Sequence, residues 1–456
     1  MTGRLFGTTG VRGIFNKNFD ANTALKLGYS LATRLKSGRI LIGKDTRTAA
    51  NITESALIAG ILSCGCDVYR LGVVPTPTLA YLTKKFRYDA GVMVTASHNP
   101  PEYIGVKFWS NTGQGYSRIE EEEIEKIYWE EKFKKTDWSN VGKIYDITQP
   151  EKYHVQDILS LIDSQKIRER EFKIILDIGN GAAYSIAPLL ARELNCTTTT
   201  LNSQPDGFFP GRPSAPTKNS LTTLTKIMSG GGYDLAAAFD GDADRIVFID
   251  EEGSLIPGDV LLIALSRYLL KNKKTGLIAT TIESSIAVEE YVKAAGGKVI
   301  WTPVGDINIS VAVKESNAIL GGEECGVYIW PDFHLGPDSF LTLARVLEIL
   351  AKEKITLKQF IKDIHTYPVI RETVECIDER KKEVMASLEK NFLNIDGVRD
   401  VSRIDGLNII GEWGRILIRP SGTEPLIRVT AEGRDISKCE ENVSKIRELI
   451  KNCLVV

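Results

Sequence analysis

The residues best able to do chemistry lie in one short stretch, Asp240-Gly241-Asp242-Ala243-Asp244-Arg245. Three carboxylates at alternate positions repel one another unless a cation sits among them. Hard oxygen ligands with neither histidine nor cysteine beside them suit Mg2+ better than zinc. Arg245 adds a permanent positive charge next to such a metal, a combination suited to phosphate. Two other readings compete: a calcium loop of the EF-hand type and a purely structural acidic turn. The calcium loop needs glycine at its sixth position. Here that residue is Arg245, and an apolar run follows where further ligands belong.

Two more loops carry reactive groups. In Thr95-Ala96-Ser97-His98-Asn99-Pro100, the trailing Asn99-Pro100-Pro101 blocks continuation of helix or sheet. Ser97 lacks the flanking glycines of an esterase nucleophile elbow. A phosphoserine there would carry a charge of about −1.5 to −2, which a metal held by three aspartates would offset. Taken alone, Ser97 is more often a turn-forming hydroxyl and His98 a hydrogen-bonded loop histidine. The second loop, Arg419-Pro420-Ser421-Gly422-Thr423-Glu424-Pro425, offers a guanidinium, two hydroxyls and glycine N–H, with Arg428 beyond it. Backbone N–H groups in such turns form anion-binding concavities, and arginine grips phosphate bidentately. A merely solvated turn is the alternative. Gly38 to Asp45 misses a P-loop because Asp45 replaces the Ser/Thr that would touch Mg2+. Gly179-Asn180-Gly181 misses a dinucleotide fingerprint, because Tyr184 stands where the third glycine belongs.

The elements around these loops alternate between strand and helix, which argues for an α/β class. Apolar runs predict strands at 39–42, 68–71, 90–94, 172–176, 235–239, 246–249, 276–279 and 298–301. Helices are expected at 53–62, 119–133, 260–270 and 339–352. The chain divides into units 1–150, 151–255, 256–366 and 367–456. The last has a different texture, with strands near 371–376, 415–418 and 426–431 and helices at 379–390 and 436–452, as expected of a small sheet covered on one side. Each unit holds an apolar run passing at once into a polar loop that bears Gly or Pro. In open α/β sheets ligands gather outside the carboxyl ends of strands, so the four loops are expected to meet in one cleft between the units.

Composition sets outer limits. At 456 residues about three domains are expected, with four possible. The chain is 43% hydrophobic and 25% charged, ordinary for a globular protein. A net charge of −2 gives no field that would attract nucleic acid or a membrane surface. No apolar span is long enough to cross a bilayer and no signal-peptide pattern follows Met1. Seven scattered cysteines, without C-x-x-C spacing, fit reduced thiols in a cytoplasm.

Taken together the loops resemble those of the α-D-phosphohexomutase family, over essentially the whole chain. Phe6-Gly7-Thr8-Thr9-Gly10-Val11-Arg12-Gly13 is similar to the family's opening signature. Thr95 to Pro100 resembles its phosphoserine loop, Asp240 to Arg245 its metal loop, Gly322 to Gly326 its sugar loop and Arg419 to Pro425 its phosphate loop. The resemblance implies three similar α/β domains with mixed sheets and a smaller C-terminal α+β lid around one central cleft. It implies Mg2+ held by Asp240, Asp242, Asp244 and a phosphorylated Ser97. It also implies a hexose 1,6-bisphosphate intermediate or activator between hexose 1-phosphate and hexose 6-phosphate. Lys107 matches the family's general acid/base and is expected to have a lowered pKa beside a metal and a guanidinium. Arg12, His98 and Arg245 would join it at the reacting centre. Glu323 and Cys325, with Gly305 and Asp306, would face the sugar. Arg419, Ser421, Gly422, Thr423 and Arg428 would hold the phosphate that is not reacting.

Three departures bear on sugar choice: Cys325 where serine is usual, Val327 where histidine often follows, and Ile104 for a common asparagine. The leading expectation is a glucose/mannose phosphomutase, with phosphoglucosamine mutase as rival because Asp306 could pair with a substrate ammonium. A non-catalytic sugar-phosphate sensor and a metal-dependent phosphatase are the remaining readings. A hexose phosphate is the expected partner, and the chain is expected to be a monomer or a homo-oligomer.

Overall fold

The computed structural model describes residues 4–7, 10–273, 275–391, 397–421 and 425–455. Four sheets follow one another along the chain. The first has six strands, in the spatial order Val11–Ile14, Tyr103–Ser110, Ala90–Val94, Arg39–Lys44, Asp67–Val73, Ile144–Asp146. Its centre is parallel and the Val11–Ile14 side antiparallel, so the sheet is mixed. The second sheet has five strands and centres on Lys173–Asp177 and Leu235–Phe239, parallel neighbours. The third has four, with Leu277–Thr281 between Lys298–Thr302 and Leu320–Gly322. In the fourth, five strands are all antiparallel.

The central strands are apolar throughout because both faces are covered. Every residue of Ala90–Val94 and of Leu235–Phe239 is buried. The last sheet instead alternates along its strand Leu426–Glu432. There, Ile427, Val429 and Ala431 point inward and Arg428 outward, the mark of a sheet with one covered face. Helices Asp378–Asn391 and Ile436–Val455 supply the cover.

The cores show how the units are joined. One apolar cluster runs from the first unit (Leu41, Tyr81, Trp109) through the second (Ile174, Phe239) into the third (Ile263, Phe340). The fourth unit has its own cluster around Ile409, Ile416 and Ile446. It meets the third largely through polar contacts. Arg415 donates to the carbonyls of Ile282 and Ser284, 2.8 Å each, and Glu432 accepts from the Ser285 hydroxyl.

Most expected elements form, with shifted ends. The acidic helix expected at 119–133 runs from Arg118 to Glu130, because Ser117 and Glu120 make a capping box and Glu131 turns left-handed at φ +52°. Past Gly181 the chain makes a single tight turn, Ala182–Tyr184, before the helix Ile186–Glu193. No disulfide forms among the seven cysteines. Among the described residues no helix is long and apolar enough to cross a membrane.

Candidate active site

Ser97 stands at the mouth of the buried strand Ala90–Val94, in a left-handed conformation with φ +51°. Such a backbone costs a non-glycine residue of order 1 kcal/mol or more, so its surroundings must hold it. Arg47 does most of this. Its guanidinium donates to the carbonyls of Ser97 (2.7 Å), Asn99 (2.6 Å), Pro100 (2.5 Å) and Tyr103 (3.0 Å). Asp45 completes the brace: it accepts from Arg47 Nε at 3.1 Å and from Thr95 Oγ1 at 2.6 Å, and that hydroxyl accepts the Ser97 N–H at 2.8 Å. The Ser97 hydroxyl then donates to Asp240 Oδ2 at 2.8 Å, across the junction between first and second units.

The turn that carries Asp240 is built to accept this approach. A Cβ on Gly241 would lie 2.7 Å from the Ser97 carbonyl oxygen, so only glycine allows the two loops so close. Behind the turn, the Gly241 carbonyl accepts the Ala182 N–H at 2.9 Å, and Arg212 clamps the strand end through the Phe239 carbonyl at 2.6 Å. Gly179 to Gly181 and the Pro/Gly-rich loop 205–213 thus act as a mount for the acidic turn. Phe209 of that loop lies under the Arg47 guanidinium, 5.1 Å from its ring centre.

Asp240, Asp242 and Asp244 offer ligand oxygens all within 4.8 Å of one another. Asp242 Oδ1 and Asp244 Oδ1 are buried with no hydrogen-bond partner among the described residues. Burial, aided by the charges of Asp244 and Asp242, pushes the Asp240 carboxyl well above its usual range. Three buried carboxylates, two of them with an orphaned oxygen, fit a hard divalent cation, which would satisfy those oxygens and relieve the repulsion.

Lys107 donates to Asp242 Oδ2 at 2.9 Å and to Asp244 Oδ2 at 2.7 Å. The expected lowering of its pKa is not found. Burial alone pulls the amine down, but the charges of Asp242 and Asp244 outweigh it and hold Lys107 above the ordinary lysine value. The expectation considered the neighbouring cations and left out the two carboxylates that the fold brings against the amine. Around this pair sit Arg12, which donates to Asn99 Oδ1 at 3.1 Å, and Arg245, whose N–H reaches Asp240 Oδ1 at 3.2 Å. His98 Nδ1 lies 3.4 Å from the Ser97 hydroxyl. Burial, then the charges of Arg245, Arg12 and Lys107, lower the His98 pKa to about 2, so its ring is neutral.

The third unit brings its loop to the same place. The Ile246 N–H, just past the acidic turn, donates to the Gly326 carbonyl at 2.9 Å. Glu323 is buried; its Oε1 accepts the Gly305 N–H at 3.1 Å and its Oε2 the Cys325 thiol at 3.1 Å. Burial, and then the nearby Asp306 carboxylate, push Glu323 up to about 7. Burial also drives the Cys325 thiol far above its normal value, so it stays protonated.

Arg419 is paired with Glu283 of the third unit and lies 3.1 Å from Asp405. Arg419 and Arg428 are direct cross-strand partners, which places two guanidiniums on one face. Ser421 is buried, and its carbonyl accepts from Lys381 at 2.6 Å. Gly422 and Thr423 lie outside the described residues.

Arg47, Asp45, Thr95, Thr76 and Arg212 went unrecognised as site residues. Thr76 is the most direct of them, donating to Asp242 Oδ2 at 2.5 Å. One signal was available for Asp45 and Arg47: Lys44-Asp45-Thr46-Arg47 is another polar loop at the end of an apolar strand, like the four that were singled out.

A centre of this kind suits holding a phosphoryl group on a side-chain oxygen beside a cation and passing it on, the work of an intramolecular phosphotransferase on an α/β frame. The comparisons with known proteins agree. Residues 3–135, 152–253 and 257–367 match the phosphoglucomutase/phosphomannomutase alpha/beta/alpha domains I, II and III, and 368–449 the C-terminal domain of the same family. The chain belongs to the phosphoglucomutase/phosphomannomutase family, within the α-D-phosphohexomutases, and is an isomerase of that type. It is 37% identical over 452 residues to a probable phosphoglucosamine mutase of Methanopyrus kandleri, covering 99% of each chain. To one of Methanothermobacter thermautotrophicus it is 39% identical over 459 residues, 99% of this chain and 98% of the other. Among solved structures, a phosphoglucomutase/phosphomannomutase family protein of Burkholderia thailandensis superimposes with a TM-score of 0.88 at 24% identity, covering 99% of this chain and 98% of that one. An N-acetylphosphoglucosamine mutase of Aspergillus fumigatus, solved with GlcNAc-6P and magnesium, has a TM-score of 0.61 at 16% identity, covering 98% of this chain and 96% of that one.

Proposed function

We propose that the chain interconverts glucosamine 6-phosphate and glucosamine 1-phosphate through a phosphorylated Ser97. The observation that carries the phosphoryl-transfer reading is the Ser97 hydroxyl 2.8 Å from Asp240 inside a buried aspartate triad. In the forward half, the bond from phosphorus to Ser97 Oγ breaks and one to a sugar hydroxyl oxygen forms, leaving glucosamine 1,6-bisphosphate and the free serine. The bisphosphate turns around, its other phosphoryl group returns to Ser97, and the isomeric monophosphate leaves.

Asp240, Asp242 and Asp244 would hold Mg2+, which supplies charge neutralisation to the transferring group. Arg12 and Arg245 add fixed positive charge beside it. Lys107, held protonated between Asp242 and Asp244, would give a proton to Ser97 Oγ as that oxygen is freed and take the sugar hydroxyl proton in exchange. Glu323 reads sugar hydroxyls common to both orientations. Arg419 and Arg428, side by side on one face, hold the second phosphate. Ser421, Gly422 and Thr423 complete that clamp, and Cys325, Gly305 and Asp306 complete the sugar wall. Domain boundaries near residues 150, 255 and 366 complete the assignment.

The amino sugar displaces the glucose/mannose expectation for two reasons. The relatives at 37% and 39% identity are named probable phosphoglucosamine mutases. The Asp306 carboxylate also raises the cost of ionising Glu323 at the sugar loop, an effect that Arg245 opposes and a further cation would reduce. A glucosamine ammonium is such a cation. The test is a side-by-side assay of glucosamine, glucose and mannose 1-phosphates, with intact mass of the protein purified from cells. A fraction about 80 Da heavier, lost in Ser97→Ala, marks the phosphoserine. Equal kcat/KM for all three sugars removes the amino-sugar reading. Release of inorganic phosphate as the main product removes the mutase reading.

A further inference from the structure

A second cluster of potential metal ligands, His154, His334 and Asp338, is fully buried far along the sequence from the acidic turn. Its hydrogen bonds exclude a metal. Asp338 Oδ2 accepts from His154 Nε2 at 2.8 Å and from His334 Nε2 at 2.9 Å. Asp338 Oδ1 caps the helix Ser339–Glu353, accepting from the N–H groups of Phe340 and Leu341. The Gly336 N–H donates to His334 Nδ1 at 3.0 Å, so that ring carries its proton on Nε2 and has no lone pair there for a cation. A carboxylate accepts only, so His154 likewise donates from Nε2. Its Nδ1 lies 3.0 Å from the Thr78 hydroxyl, in a direct hydrogen bond.

Both ends of this cluster lead to the acidic turn. Thr78 belongs to the first turn of helix Thr76–Lys85, two residues from Thr76. Thr76 donates its hydroxyl to Asp242 Oδ2 at 2.5 Å and its N–H to the Asp242 carbonyl at 2.9 Å. On the other side, Ser339 follows Asp338 directly and donates its hydroxyl to the Ala243 carbonyl at 2.6 Å. Ala243 is itself left-handed at φ +56°. The contacts close a ring: Asp242, Thr76, Thr78, His154, Asp338, Ser339, Ala243 and back to Asp242. Thr76 and Thr78 belong to the first unit and Asp338 and Ser339 to the third, while His154 comes from the second unit, which also carries the turn. Every side chain in it is shielded from solvent.

We infer that His154, Asp338 and Thr78 are positioning residues that hold the Asp242-Ala243 step of the acidic turn from two sides, and so set the affinity of the turn for a divalent cation. The inference rests on the assignment of the aspartates as metal ligands. A turn with one left-handed alanine has few backbone contacts of its own, and the ring replaces them with fixed neighbours. Loss of one link frees Asp242 to shift relative to Asp240 and Asp244, which weakens a three-point site more than it weakens the fold.

The test is Mn2+ binding to the full chain, followed by calorimetry or electron paramagnetic resonance, with thermal melting in EDTA as the second readout. Thr78→Val and Ser339→Ala each cut one link. Thr83→Val is the control: it is an equally buried threonine on the same helix that bonds only its own helix backbone, to Leu79. Thr78→Val and Ser339→Ala are expected to weaken Mn2+ binding by about threefold or more, with Thr83→Val unchanged. Their activity should return at saturating Mg2+ with the KM for sugar phosphate unaltered. If both ring variants melt earlier but bind Mn2+ like the parent, the ring is merely structural and the inference fails. Asp242→Asn separates the two levels: unchanged Mn2+ binding in that variant overturns the metal assignment itself rather than the ring. Should one ring variant fail to fold, the other still decides.

Discussion

Replacing Arg47 by methionine tests the claim that a strained Ser97 is held by a buried ion. Both side chains of the Arg47–Asp45 pair have no solvent exposure. The substitution removes four donors from the carbonyls of Ser97, Asn99, Pro100 and Tyr103. It also leaves Asp45 with a hydroxyl and an N–H as its remaining partners. Burial already pushes the Asp45 carboxyl up, with the Arg47 charge opposing the rise, so the lone carboxylate would protonate. Breaking a buried pair from one side costs about 3–5 kcal/mol. Asp45→Asn leaves the guanidinium on its four carbonyls and should cost less, about 1–3 kcal/mol. The double variant should therefore be more stable than the sum of the two losses. Urea denaturation of the four proteins gives these values, read on the transition that reports the first unit because a multi-unit chain need not unfold in one step. Turnover should fall by about 10²-fold in Arg47→Met, since a misplaced nucleophile costs that much. A loss under about 1 kcal/mol with normal turnover would refute the reasoning, because Ser97 would then keep its conformation unaided.

The other expectations concern the site directly. Ser97→Ala should lower turnover by at least roughly 10²-fold; a drop under tenfold in a steady-state assay counts against a covalent relay. Asp242→Asn should abolish activity while circular dichroism stays native, and near-normal turnover would defeat the metal assignment. Arg419→Ala should raise the KM for sugar phosphate by about tenfold, the worth of one charge-assisted contact, and release more free bisphosphate; if neither changes, the lid does not hold the idle phosphate. Glu323 gives a pH dependence. It keeps its proton up to about 7 in the fold, against an ordinary value of 4.5 in the unfolded chain. The folded state therefore binds more protons between these values. The stabilisation is fully present below about pH 4.5 and is lost as pH rises through 7. Tm measured from pH 4.5 to 8 should fall less steeply in Glu323→Gln than in the parent, and parallel curves would show that Glu323 does not titrate there.

What could be read from the chain alone follows a physical pattern. The reactive groups of the acidic turn, the Ser97 loop and the sugar loop are local clusters, each within a few residues at the end of an apolar strand, so composition and spacing carry them. Strands buried on both faces, such as Ala90–Val94, announce themselves as unbroken apolar runs. Nothing local marks Thr76, His154 or Ser339. Each is one polar residue among ordinary neighbours, and its role depends on a partner far away: Thr76 meets Asp242 across 166 positions and His154 meets Asp338 across 184. The charge state of Lys107 was misjudged for the same reason, since Asp242 and Asp244 arrive from another unit. The Arg419 loop stands out by its composition, yet Glu283, which pairs with Arg419 in the folded chain, does not. Sequence spacing therefore determined which chemistry this protein carries. Tertiary packing alone decided which carboxylates face which cations, because electrostatic energy depends on distance through space rather than along the chain.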